Sequence, residues 1–282
     1  MNDIERLITR KLAEYYYFPG EFVAIPAYEW TGSGIHERGG PWGHVNPLWL
    51  EEHGDLPFYT PVDADCAGSD LKKLGQAYAG RKVIAPPHHP ADSIHPYKWQ
   101  DWDATLSPVV EIFQDCRGSG EQPWAPGITH FLHTEQGHWV VDWLKQGLRF
   151  GFIAGGDHTG IALAGALVTE LTRTGLHAAF CARRTFATTG IPARIEFTAN
   201  GVPMGAAVGE KSAAFQLAGE TPEPIAEVQI LRDGELDHAV AGQGTAFAHA
   251  WTATRRRPGE FWYVRILLHN GEILWTSPIW ME

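Results

Sequence analysis

The chain has 282 residues, with 22 lysines and arginines against 33 aspartates and glutamates, a formal net charge of −11. That balance argues against nucleic acid as the main partner. With 44% hydrophobic and 20% charged residues, the composition is that of a folded protein with a sizeable core, in one large domain or two moderate ones.

The amino terminus reads as a helix capped by Asn2 or Asp3, with Ile4, Leu7, Ile8, Leu12 and Tyr15 on one face. Asp3, Glu5, Arg6, Arg10 and Lys11 interrupt it, so it lacks the hydrophobic region of a secretory signal. Short apolar runs follow, bounded by glycine, proline or charge: Phe22 to Tyr28, Val45 to Leu50, Lys82 to Ala85, Val109 to Phe113 and Phe150 to Ala154. These read as buried strands of an α/β layer. Helices are expected between them, over His138 to Gln146, stopping at Gly147, and over Thr172 to Arg184. The longest uninterrupted apolar candidate, Ile161 to Val168, is far too short for a membrane span, so no membrane partner is expected. Cys66, Cys116 and Cys181 are odd in number and widely spaced, which suits reduced thiols and leans toward a cytoplasmic location.

After about Ile191 the texture changes to alternating strands joined by hairpin dipeptides, Asn200-Gly201, Asp233-Gly234 and Asn270-Gly271. Ile225 to Leu231, Thr245 to Thr252 and Glu260 to His269 supply further strands. The predicted organisation is an α/β domain over 1–191 followed by a small all-β sandwich over 192–282.

The chemistry-bearing residues fall at or near the ends of the expected strands: Glu29, His44, His88, His89, Glu111, Asp157 and His158. Neutral imidazole and carboxylate are the ligands of a catalytic divalent ion such as zinc, manganese or iron. A single strand-end histidine is more often a satisfied polar residue than a ligand; recurrence at one end of successive strands is harder to dismiss. Asp157 and His158 lie in the small-residue segment Gly155-Gly156-Asp157-His158-Thr159-Gly160, for which a polar turn is the plain alternative. Glu111, flanked by Val110 and Ile112, needs a metal, an arginine or hydrogen bonds to stay charged, with Arg117 or Arg149 as the ordinary partner. Glu111 and His89 are the candidate catalytic residues. Arg117 and Glu121 are candidate helpers, with a solvated loop pair as the alternative. Trp99, Trp102 and Trp124 either line a cleft or wedge the rim, while Trp251, Trp262, Trp275 and Trp280 read as sandwich core. No Gly-rich phosphate loop with lysine and no Gly-x-Ser-x-Gly nucleophile is present.

A series of segments then follows one order: Phe22 to Thr31, Gly43-His44-Val45-Asn46, Pro87-His88-His89-Pro90, Val110-Glu111-Ile112, Gly118-Ser119-Gly120-Glu121, Gly151 to Gly160, and Ala182 to Gly190. They resemble a group of metal-dependent hydrolases related to the polymerase and histidinol phosphatase (PHP) superfamily. Glu260 to Arg265 and Trp275 to Trp280 resemble that group's C-terminal β-domain. The resemblance implies a distorted seven-stranded α/β barrel with metals at one mouth and hydrolysis of a small-molecule substrate, most often a phosphoester. By matching motif, Glu29 would be the bridging carboxylate, His44 and His88 would join it on one metal, and Asp157 and His158 would serve the others. Two departures stand out: no opening His-x-His precedes Glu29, and Asp157 and His158 are adjacent where the group has Asp-x-His. The expectation is therefore an incomplete PHP-like (β/α) barrel, shortened at its amino end, whose open edge needs an upstream segment or a second copy to cover it. A noncatalytic binding subunit of the same fold is the alternative.

Overall fold

The computed structural model describes residues 3–32, 43–53, 57–59, 70–92, 95–127, 137–158 and 160–282. Asn2, Cys66 and Thr159 lie outside them. Strand dominates the described residues, which also hold the helices Asp3–Tyr15, Leu71–Ala77, Val140–Lys145 and Arg173–Cys181. No helix among these residues is long and apolar enough to cross a membrane.

The spine of the molecule is the strand Glu260–Leu268. One edge pairs antiparallel with Ile225–Arg232; the other pairs with Ile273–Thr276 and, further along, with Ile279–Met281. The sheet so built has eight strands, and both of its faces are covered, which explains why this central strand is apolar at nearly every position rather than alternating. Alternate residues still serve opposite layers. Trp262, Val264 and Ile266 enter a core with Phe197, Phe215 and Leu217, whereas Phe261 and Tyr263 pack on the other side with Phe113, Phe152 and Trp30. The first core is closed by a four-stranded sheet containing Arg194–Ala199, Ser212–Glu220 and Ala246–Thr254. Ser212–Glu220 alternates between buried and exposed positions, as a strand with one solvated face must. The C-terminal segment thus supplies strands to both layers of a β-sandwich. The large sheet also takes in Leu163–Ala166 and Thr185–Thr188, the latter paired with Ile273–Thr276, so it runs across the 191/192 division.

Turn chemistry accounts for the hairpins. Asn200 and Gly201 have φ of 50° and 79°, and Asp233 and Gly234 have φ of 52° and 81°, the left-handed pair that a two-residue turn matching strand twist requires. Asn270-Gly271 turns differently: Asn270 Oδ1 accepts from the Glu272 amide at 3.0 Å and only Gly271 is left-handed.

The described residues form no α/β barrel, contrary to expectation. The amino-terminal part holds three small sheets: Trp30–Thr31 with His44–Val45 and Pro87–His88, Leu48–Trp49 with Val83–Ile84, and Gly118–Ser119 with Val109–Gln114 and Gly151–Gly155. All their pairings are antiparallel except Val109–Gln114 with Gly151–Gly155. A (β/α) barrel needs successive parallel strands, each followed by a covering helix. Phe22 to Tyr28 forms no strand beyond the isolated bridges Phe18 to Phe22 and Ala27 to Leu48. Prolines 26, 47, 86, 87 and 90 withhold donors from any longer ladder. An apolar run bounded by such residues looks alike whether it becomes a buried strand or buried irregular chain.

Two helices carry further information. Thr172 caps Arg173–Cys181 by accepting from the Gly175 amide. Arg173, 1% exposed, reaches the carbonyls of Ala13 and Ala24 and the Glu14 carboxylate, tying the first helix down. The expected apolar face of that first helix, Ile4, Leu7, Ile8, Leu12 and Tyr15, is nevertheless exposed.

Candidate metal centre

The antiparallel ribbon of Trp30–Thr31, His44–Val45 and Pro87–His88 sets His44 directly opposite His88. Opposed residues of a ladder share a face, and the two rings lie parallel with centroids 6.4 Å apart. Glu29, just before the first strand, brings Oε1 to 2.5 Å from His44 Nδ1 and 4.0 Å from His88 Nε2. In an extended chain, His89 would point away from His88. Instead His89 has φ of 35°, which folds it back so that the two rings are 4.2 Å apart. Glu29, His44 and His89 consequently each offer a donor atom within 4.8 Å of one another. His95 stacks on His44 at 4.4 Å.

The opposite wall comes from the parallel pair Val109–Gln114 and Gly151–Gly155. Their register slips between Glu111 and Phe113, a bulge that re-aims the Glu111 side chain. Buried Glu111 places Oε2 2.9 Å from His88 Nδ1 and accepts from the His89 amide at 2.6 Å. Gly155 makes room for it, because a Cβ there would overlap Glu111 Oε1. Past that strand Asp157, with φ of 56°, presents Oδ2 at 3.9 Å from His88 Nε2 and receives a hydrogen bond from Gln114 Nε2. Glu29, Asn46, His88, Glu111, Asp157 and His158 border a cleft of about 300 Å³.

The charges follow from this packing. His88 is pulled by burial toward neutrality, yet Glu111, Glu29 and Asp157 together raise its pKa. The same burial, reinforced by His88 and His44, drives His89 down to about 2. The His44 ring beside it holds the Glu29 carboxyl below its usual range. With Nδ1–H directed to Glu111, an ion displacing the Nε2 proton would meet a lone pair facing Glu29 and Asp157, the carboxylate–histidine arrangement that orients metal ligands. A divalent ion fits the remaining donors. His44 Nε2 and His89 Nδ1 are buried without a hydrogen-bond partner, and His44 Nδ1, though close to Glu29, lies outside hydrogen-bonding geometry. Buried unpaired nitrogens are costly, and coordination is one way to satisfy such nitrogens.

The structure gathers Glu29, His44, His88, His89, Glu111 and Asp157. His158 is not gathered in: its side chain is 83% exposed at the rim, with Nε2 3.2 Å from Asp157 Oδ1. Glu111 is paired with neither Arg117 nor Arg149; the latter meets Glu282, and Arg117 Nε lies 3.0 Å from Asp92 Oδ2. Glu121 is far from a solvated loop: it is fully buried and accepts from Tyr263 Oη, Arg265 Nη1 and Trp275 Nε1, pinning the central sheet. Trp99 is core and stacks on Trp143, while Trp124 is 97% exposed. Asn46, His95 and Gln114 also belong to the site and carried no spacing signal of their own.

No family model matches the chain. Three relatives, each described only as an uncharacterized protein, come from chlamydiae. That of Chlamydia muridarum is 26% identical over 77% of this chain and 41% of its own length, that of Chlamydia trachomatis 24% over the same shares, and that of Chlamydia pneumoniae 25% over 75% and 40%. The chain thus spans about two fifths of the relatives it matches. Among solved structures, a CARDB domain from Pyrococcus furiosus aligns with 32% of the chain at 11% identity and a TM-score of 0.24. A Jonesia denitrificans lytic polysaccharide monooxygenase aligns with 29% at 13% identity and a TM-score of 0.21. Scores of this size carry no argument about shared fold. The PHP resemblance fails on two counts: no model of that family matches, and β-ribbons with a sandwich stand where the barrel was expected. Neither a barrel nor a hydrolase activity therefore draws support from kinship.

Proposed function

We propose that Glu29, His44 and His89, with His88 and Asp157 beside them, hold a divalent metal ion and that the adjoining cleft serves metal-dependent hydrolysis of a small ester. The reading rests on side chains rather than family. Its supporting observation is the convergence of the Glu29 carboxylate with the His44 and His89 rings, both of which carry buried nitrogens lacking a hydrogen-bond partner. Nitrogen and oxygen donors in this proportion suit zinc, manganese or iron. When bound, such an ion supplies Lewis acidity and draws the pKa of a coordinated water toward neutrality.

The chain's own residues have separable roles in this reading. Glu29 Oε1, 2.5 Å from His44 Nδ1 and 4.0 Å from His88 Nε2, links those two imidazoles. Glu111 is a positioning residue, fixing the His88 tautomer and the His89 backbone. Asn46 and His158 border the open side, where a substrate would enter.

The test is metal analysis of protein equilibrated with zinc, manganese or iron(II), followed by turnover of p-nitrophenyl phosphate and bis(p-nitrophenyl) phosphate. Tightly held metal with turnover that disappears in His44→Ala is expected. Metal held without turnover would remove hydrolysis and leave a binding role; no metal at all would remove the whole reading.

A further inference from the structure

A second pair of imidazoles meets at the open side of the sandwich. His238 lies on Glu235–Ala241, which among the described residues pairs only with Ile225–Arg232, and His249 lies on Ala246–Thr254, which among them pairs only with Ser212–Glu220. Both are edge strands, belonging to different sheets. Their Nε2 atoms are 3.1 Å apart.

Three features shape this meeting. The pairing of Ile225–Arg232 slips a register between Ile230 and Leu231, leaving Asp237 as the extra residue. That bulge lets the Asp237 carboxylate reach back to His238 Nδ1 at 2.9 Å. Donation of Nδ1–H to Asp237 leaves the His238 Nε2 lone pair pointing at His249. Trp251 holds both rings: His249 stacks on it at 5.5 Å and 21°, His238 meets it edge-on at 5.7 Å and 78°. Trp251 in turn stacks on Phe215 at 5.0 Å, so the rings stand on the aromatic core. A hollow of about 230 Å³ bordered by Val240, Phe247 and His249 opens beside them.

We propose that His238 and His249 form a second metal site, a clamp between the two sheet edges for a borderline divalent transition ion of the copper, nickel or zinc kind. Two nitrogens each about 2.0–2.1 Å from one ion stand about 2.8–3.4 Å apart at right-angled to tetrahedral angles, so the observed spacing accepts the ion with little movement. Imidazole is the donor such ions favour, and copper(II) binds tightest of the series. Asp237 is the outer carboxylate that fixes the ligand tautomer. Water or a small ligand in the hollow completes the coordination. The site shares no residue with the centre around Glu29 and stands or falls independently of it.

Copper(II) is the probe, added to the full chain carrying His44→Ala so that the first centre is disabled. One equivalent is expected to bind and to quench part of the tryptophan fluorescence through Trp251. Adding His249→Ala should abolish both the binding and the quench, and adding Asp237→Asn should weaken binding about 10-fold or more. If His249→Ala does not fold, electron paramagnetic resonance of the copper-loaded His44→Ala protein decides: two equatorial nitrogens support the clamp, one or none overturns it. Equal copper stoichiometry with and without His249, or absence of quenching, would also overturn it and leave an imidazole–imidazole hydrogen bond.

Discussion

Glu111 Oε2 stands 2.9 Å from His88 Nδ1 while also accepting the amide of His89, so one buried carboxylate positions two consecutive histidines. Glu111→Gln keeps the shape but loses the charge that fixes the His88 tautomer. Loss of such a partner weakens metal binding by about 10- to 100-fold. Calorimetric titration with zinc checks this, and an unchanged affinity would show that His88 is oriented by something else.

Gly155 is where that carboxylate fits. Gly155→Ala would place a methyl on Glu111 Oε1, and either the strand or the carboxylate must move. The expected outcome is destabilisation of about 1–3 kcal/mol together with reduced metal content, read by denaturant unfolding and metal analysis.

Glu121 separates fold from function. It is fully buried and takes hydrogen bonds from Tyr263, Arg265 and Trp275. Removing one member of a buried ion pair strands the other charge, so Glu121→Ala should cost about 3–5 kcal/mol. Metal stoichiometry of the fraction that remains folded should not change. A large loss of metal at intact stability would contradict this assignment.

Histidine 89 predicts a pH dependence in the metal-free protein. Its pKa is lowered from 6.5 to about 2 by burial and by His88 and His44, so between those values the unfolded chain binds a proton that the folded chain refuses. Stability is then fully present above about pH 6.5 and declines as pH falls through that window. His88, raised by its carboxylates, acts in the opposite sense: its contribution is present below the unfolded pKa and is lost as pH rises through the folded one. His89→Gln should flatten the acid side of the melting-temperature profile; an unaltered profile would contradict the burial argument.

What was legible in the sequence was what local chemistry dictates. Asn200-Gly201 and Asp233-Gly234 announced their turns because few other dipeptides tolerate two left-handed residues, and Thr172 announced a helix start. Glu29, His44, His88 and Asp157 were legible as donors by type. Their mutual geometry was not: His44 meets His88 through the register of two-residue strands, too short to leave a periodic pattern. The positive φ of His89, which brings its ring back beside that of His88, is an uncommon conformation for a non-glycine residue and has no sequence signature. Glu121 was misread because its partners, Tyr263, Arg265 and Trp275, lie far along the chain. The barrel failed for a related reason, since apolar runs among prolines carry burial but not strand direction.

The most direct measurement is an anomalous-difference map from crystals of the protein grown with zinc or manganese, collected at the metal's absorption edge. A peak is expected beside Glu29, within about 2.0–2.2 Å of a carboxylate oxygen and of imidazole nitrogens from His44 and from His88 or His89. A map with no peak at these residues, with the His44 and His89 nitrogens bonded instead to ordered water, would contradict it.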